Sequence, residues 1–383
     1  MKQDTIFSTA RHVPFLPRLS LMEVMTAEAS IDERNLRASM RANLRAKPGK
    51  SAPLALAIFA ADLLLYGGCL YGALRWAGSW SGWCFGLAQG ACIAMLFIVG
   101  HDACHGSFTA SRTLNAWIGR VAFLPSLTPF RTWELGHNQT HHVYTNLKPL
   151  DYVWAPFSKT EFDRLPRWRR RLERVYRTAP GVGIYYAFEI WWRRLFFPRD
   201  RRYWRDCSLC AAYGMAISAP ALMLGWRAWL VGVVWPFVCW NWLMGWAIFE
   251  HHTHPDVPWF NDETAWRAAG AQVACTVHVV LPIPFDTLLH FIMQHTAHHL
   301  DVTIPLYRLR DAQHVVEDSG TRLVVYRWTP ATFFRHLKIC KLYDFERRCW
   351  IAFDSRPLTS SAPAPQFPSL APSKLERDKE CRP

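Results

Sequence analysis

Three histidine-rich stretches carry the side chains best suited to chemistry. They are His101-Asp102-Ala103-Cys104-His105, His137-Asn138-Gln139-Thr140-His141-His142 and His295-Thr296-Ala297-His298-His299. On a helix, residues three and four apart share a face, so His101 points with His105 and His137 with His141. His298 and His299 both project beside His295. Imidazole suits zinc, copper, iron and nickel, so ligand type alone names no metal. A single H-x-x-x-H pair matches by chance too often to carry weight. Three clusters, two ending in His-His, do carry it, and eight imidazoles are too many for one ion. The pattern points to a two-metal centre.

A fourth histidine-rich spot, Glu250-His251-His252-Thr253-His254-Pro255, closes an apolar run. Histidines at a helix C-terminus are favoured by the helix dipole without any metal. Of this group, His252 is the candidate to complete the metal shell. Asp102, Glu134, Asp151, Glu250 and Asp301 lie near the clusters and are candidates to orient the imidazoles by hydrogen bonding.

The elements that must position these residues are apolar. Half of the 383 residues are hydrophobic, with 20 Trp and 23 Phe, yet the net charge is +14. Very apolar stretches alternate with very basic ones, which fits an integral membrane protein and disfavours a nucleic-acid binder. Pro53 to Trp76 and Ser81 to Gly100 are each long enough to span, with a short Trp-rich link between them. Cys207 to Leu224 and Ala228 to Phe249 form a second such pair around Gly225-Trp226-Arg227. Leu114 to Phe130 is interrupted by Pro125 and Pro129 and reads as re-entrant or interfacial. Ala265 to Met293, with Pro282 and Pro284, reads as membrane-associated rather than spanning.

Arg34, Arg37, Arg41, Arg45, Lys47 and Lys50 precede the first span, which by the positive-inside rule starts on the cytoplasmic side. The expected fold is therefore an all-α integral membrane protein, multi-pass, with four transmembrane helices in two hairpins. A cytoplasmic helical cap carries the histidine-rich di-metal site, and both termini and the active site are cytoplasmic. The basic, Trp-punctuated stretch from Thr160 to Arg205 is expected to lie on lipid headgroups. Asp62 is the main charge inside a span and is expected to pair within its hairpin.

Three regions follow: an amphipathic cytoplasmic segment at 1–51 whose residues 30–47 read as a surface helix, a catalytic membrane domain at 52–354, and a Pro- and Ser-rich disordered tail at 355–383. No cleaved signal peptide is expected. The 11 cysteines form no disulfide framework, and the Cys207/Cys210 pair lacks the second pair that a zinc site needs.

Hydrolysis at a metal needs only three or four ligands. A larger histidine cage facing an apolar interior points to redox chemistry on a lipid, which redox-inert zinc cannot supply. H-x-x-x-H, H-x-x-x-H-H and H-x-x-H-H, in this order along the spans, resemble the integral-membrane fatty acid desaturases. Gly100 to Phe108, Phe123-Leu124-Pro125, His252-Thr253-His254-Pro255 and His298-His299-Leu300 followed by Ile304-Pro305 are similar to the omega-6 (delta-12) acyl-lipid branch. The resemblance covers about Ala52 to Tyr343.

It implies two iron ions held by His101, His105, His137, His141, His142, His295, His298 and His299, with His252 as a ninth ligand. It also implies a bent apolar tunnel, a fatty acyl lipid or acyl thioester substrate, and dioxygen. Electrons come from a ferredoxin or cytochrome b5 type donor, which is separate because no His-Pro-Gly-Gly haem motif is present. Ala103-Cys104 departs from the pair commonly found between the first two ligands, which keeps an acetylenase or hydroxylase on the same scaffold as an alternative. A metal transporter or zinc membrane hydrolase is the more distant one; a transporter should carry polar ligands near mid-membrane, and these spans hold few.

Overall fold

The computed structural model describes residues 31–45, 49–198 and 200–360. The segment before residue 31 and most of the proposed tail lie outside the described residues. Helix α1 (Ile31–Arg45) lies within the stretch 30–47 read as a surface helix. Its Leu36 and Met40 are buried in the main core.

Helix α2 (Ala52–Arg75) starts where the Ser51 hydroxyl accepts from the Leu54 amide and Pro53 occupies the first turn. Helix α3 (Trp80–His105) runs back beside it and ends at Gly106, whose φ of 67° lets the chain leave the helix in the left-handed region. With 24 and 26 residues these helices are about 36 and 39 Å long, more than the ~30 Å of a bilayer's apolar slab. Most of α2 faces outward, with Leu64 77% exposed, whereas α3 is buried along most of its length. Chain apolarity alone does not separate these two roles.

Helix α4 (Arg112–Phe123) has 12 residues, about 18 Å, and is too short to cross, as the two prolines after it suggested. Helix α5 (Phe130–Gly136) leads into the second histidine cluster. Helix α6 (Trp204–Met223) covers the third expected span but opens with Arg205 and Asp206 and contains Pro220. Helix α7 (Trp226–His252) is continuous through a π-turn at Leu230–Val234. Among the described residues α2, α3 and α7 are both long and apolar enough to cross a membrane.

Close approach of α3 to α7 depends on glycine. A Cβ at Gly90 would lie 2.6 Å from Cys239 Cβ, and one at Gly86 would lie 2.6 Å from the Val231 carbonyl oxygen.

Three expectations need correction. The chain is not purely helical. Strand β1 (Val277–Val280) pairs in parallel with β2 (Val324–Arg327), and β3 (Leu342–Asp344) pairs antiparallel with β4 (Cys349–Ile351). The first pair is rich in β-branched residues but joins segments 47 positions apart, so neither strand announces itself alone. Asp62 does not pair within its hairpin; its carboxylate lies 2.7 Å from His290 Nε2. The tail does not begin at Ser355, because the Leu358 amide donates to the Trp350 carbonyl and Trp350 donates to Thr359 Oγ1, fastening this stretch to β4.

Candidate metal centre

The first two clusters are delivered by the ends of helices, and the third forms a short helix of its own. The last turn of α3 carries His101 and His105, whose rings lie 4.7 Å apart. The second cluster is wound as a π-turn, His137–His141, with the His142 amide donating to the His137 carbonyl five residues back. Widening the turn lets His141 and His142 both project beside His137, which α-helical spacing alone does not do. Helix α8 (Ile283–Leu288) precedes the third cluster, which forms the short helix α9 (His295–Leu300). The last turn of α7 carries His252.

Nine imidazoles gather into two groups. His101, His105, His137, His142 and His298 form one; His141, His252, His295 and His299 form the other. Within each group the ligand-capable nitrogens lie within 4.8 Å of one another. The division cuts across the motifs: neighbours His141 and His142 go to different groups, as do His298 and His299.

The donor set fits metal. Both Asp151 oxygens lie 3.1 to 3.2 Å from His141 Nδ1, so the proton belongs there and Nε2 presents a lone pair. The Cys275 carbonyl, 3.2 Å from His252 Nδ1, imposes the same tautomer on His252. The Thr145 hydroxyl donates to the His141 carbonyl, which leaves its oxygen to accept from His299 Nδ1 at 3.1 Å. Gln272 Oε1 lies 3.2 Å from the same nitrogen, and its amide is oriented by donating to the His142 carbonyl.

Three lone pairs, on His141, His252 and His299, are thus fixed, and His295 joins them. His141 and His252 meet Nε2 to Nε2 at 3.1 Å, His252 and His295 at 2.9 Å, and His299 Nε2 is buried with no hydrogen-bond partner. Acceptors aimed at one another in a buried site are unfavourable unless they share a cation. In the other group His142 Nε2 lies 3.0 Å from His137 Nε2 and 3.2 Å from His298 Nε2, and His105 Nε2 is a buried orphan.

Electrostatics point the same way. Burial first, and the neighbouring rings second, push His137, His142, His295, His298 and His299 well below the ordinary imidazole range. They are neutral at pH 7, the form that binds metal.

The five candidate carboxylates are placed differently. Asp151 orients His141 and also accepts from the Asn146 and Val153 amides. Asp102 is fully buried, 3.5 Å from His101 Nδ1, and accepts from the Leu306 amide. Asp301 pairs with Arg41 of α1 just past the third cluster. Glu134 pairs with Arg131. Glu250 accepts from Tyr326 and lies 2.8 Å from His336 Nδ1, bridging α7 to the chain after β1.

Of the histidines beside His252, His251 stacks on His295 at 3.7 Å, and its Nε2 faces Met293 Sδ at 3.2 Å. Thr145 and Gln272 were missed by the sequence reading. They lie 127 positions apart, and nothing in either stretch marks them as partners of His299.

An apolar cavity of about 830 Å³, its mouth included, ends on this cluster. Ala94, Phe97, Ile98, Leu243, Met244, Ala247 and Ile248 line it, and His101, His137, His141, His252 and His295 lie at its reactive end. Trp133 stacks on His137 at 4.6 Å and forms part of the wall. Cys104 does not face the cavity; its sulfur points to the Phe130 carbonyl.

A family profile described as fatty acid desaturase matches residues 78–330. The sn-1 oleoyl-lipid 12-desaturase of Picosynechococcus sp. is 32% identical over 273 residues, covering 69% of this chain and 77% of the relative. The protein of the same description from Synechocystis sp. is 32% identical over 271 residues, 67% of this chain and 74% of its own. The chloroplastic omega-6 fatty acid desaturase of Brassica napus is 29% identical over 332 residues, 82% of this chain and 71% of the relative.

Proposed function

Taking as premise that the chain belongs to the fatty acid desaturase family, we propose that it introduces a cis double bond into an acyl chain, at the delta-12 or omega-6 position. One observation carries this reading beyond the family: nine imidazoles gather in two groups, and five of them, drawn from both groups, close the end of an apolar cavity. The substrate is an oleoyl-type chain held in lipid, as the names of the Picosynechococcus and Synechocystis relatives say of theirs.

His101, His105, His137, His142 and His298 would hold one iron; His141, His252, His295 and His299 would hold the other. When bound, the pair supplies with dioxygen the oxidising power needed to break unactivated C–H bonds. In the net reaction adjacent methylenes lose two hydrogens. With dioxygen, two electrons and two protons these yield the alkene and two waters. The electrons come from an external ferredoxin or cytochrome b5 type donor.

The protein's own residues do the positioning. Phe97, Ile98, Met244 and Ile248 hold the chain and exclude water, so the oxidant meets one stretch of methylenes. Asp151, Thr145 and Gln272 hold His141 and His299 in the tautomer that presents Nε2. Asp102 and Asp301 anchor the chain beside the first and third clusters.

In this reading α6 is a fourth span and the two hairpins place every cluster, and both termini, on the cytoplasmic side. The ligands at the ends of α3 and α7 suit access by a soluble donor. A transporter would place them mid-span. Cys104 turns away from the cavity, so it gives no support to an acetylenase or hydroxylase outcome. The test is expression in a host lacking polyunsaturated lipids with fatty acid profiling by gas chromatography–mass spectrometry. A new dienoic acid is expected; an unchanged profile from iron-loaded protein contradicts the proposal.

A further inference from the structure

Asp62 is a carboxylate 2% exposed in the middle of a helix long and apolar enough to cross a bilayer. Such a placement is unfavourable without a partner and marks function more often than not. Its partner, His290, belongs to the stretch 282–294 between β1 and the third histidine cluster. His290 and Phe291 both have positive φ, 47° and 60°. Two successive non-glycine residues of this kind persist only where their surroundings impose them. Here the Phe291 amide donates to the Asp286 carbonyl, Gln294 donates to the Asp286 carboxylate, and His290 is clasped by Asp62.

The stretch has two apolar sides. Ile283, Phe285 and Leu288 are 65%, 60% and 47% exposed. Leu289 and Ile292, a few residues on, line the cavity that ends at the imidazoles. Its depth follows from the clasp. Asp62 lies about 15 Å along α2 from Ala52. Gly72 packs against the Phe85 ring, 2.6 Å from where its Cβ would stand, and Cys69 Sγ lies 3.9 Å from Cys92 Sγ, contacts that set the register of the antiparallel α2 and α3. That register sets Asp62 near the depth of Ala94, Phe97 and Ile98, themselves cavity residues. The exposed apolar side chains of α8 thus lie near the depth of Leu64 and Leu65, which are exposed on α2.

We infer that 282–292 is the bilayer-facing wall of the cavity, through which the acyl chain of an intact membrane lipid enters, with the Asp62–His290 pair holding that wall in place. The inference rests on the reading of the cavity as an acyl site. A chain arriving on a soluble thioester would need no apolar surface on the outside of this wall.

The test uses the full-length, metal-loaded protein in dioleoylphosphatidylcholine vesicles. A benzophenone amino acid placed at Phe285 should capture the phospholipid acyl chain on illumination. Phe285→Lys and Leu288→Lys, at exposed positions, should raise the apparent KM for the phospholipid about tenfold or more, with iron content unchanged. Absence of a lipid adduct overturns the inference, as do lysine variants that match the wild type. Wild-type protein that desaturates only oleoyl coenzyme A sinks this inference alone. Wild-type protein that desaturates neither substrate sinks the desaturase reading and the inference with it.

Discussion

His141 and His252 face each other Nε2 to Nε2 at 3.1 Å across 111 residues of chain, each with its Nδ1 proton engaged elsewhere, on Asp151 and on the Cys275 carbonyl. Two lone pairs so placed need a cation between them, and the three variants that follow in the first two tests probe that need.

Replacing either partner should break the four-imidazole group and spare the five-imidazole one. His141→Ala and His252→Ala are expected to lower desaturation at least about 100-fold and to reduce bound iron, with the protein still in the membrane fraction. Iron per chain by mass spectrometry, measured beside the fatty acid profile, checks this. Full iron and full activity in either variant would remove it from the ligand set.

Asp151→Asn keeps the size of the side chain but no longer requires the proton of His141 to sit on Nδ1. Iron affinity is expected to fall about 10- to 100-fold, with activity following it. The same carboxylate accepts two backbone amides, so thermal stability should fall as well. Iron titration and a melting curve separate the two effects.

Filling the cavity should stop turnover without touching the metals. Ala247→Trp, between Trp246 and Ile248 on the cavity wall, is expected to abolish desaturation of an oleoyl chain while iron stays at the wild-type level. Retained activity on the same chain would place the substrate elsewhere.

Gly90→Val should push α3 from α7, since even the first added carbon meets Cys239. A loss of about 1–3 kcal/mol in stability is expected, with poorer iron loading because the two helices carry His101, His105 and His252. Gly68→Ala, where nothing lies within 4 Å of the added carbon, is the control and should lower neither.

The histidine clusters and the helices that deliver them are legible in the sequence because spacing along one helix decides both. The pairing across elements is not. His141 and His142 part company because the local winding is a π-turn, which no residue type in His137 to His142 announces. Strand β1 is four residues long and finds its partner after two helices and a histidine cluster. Asp62 was legible as a charge inside a span, but its partner lies 228 positions away, in the stretch before the third cluster. The contrast between outward α2 and buried α3 also escapes composition, since both are equally apolar.

Metal content of the purified wild-type chain bears most directly on the proposed chemistry. Two irons per chain, with a nitrogen-dominated shell by X-ray absorption at the iron edge, are expected. A single zinc, or protein that desaturates with no iron bound, would contradict it.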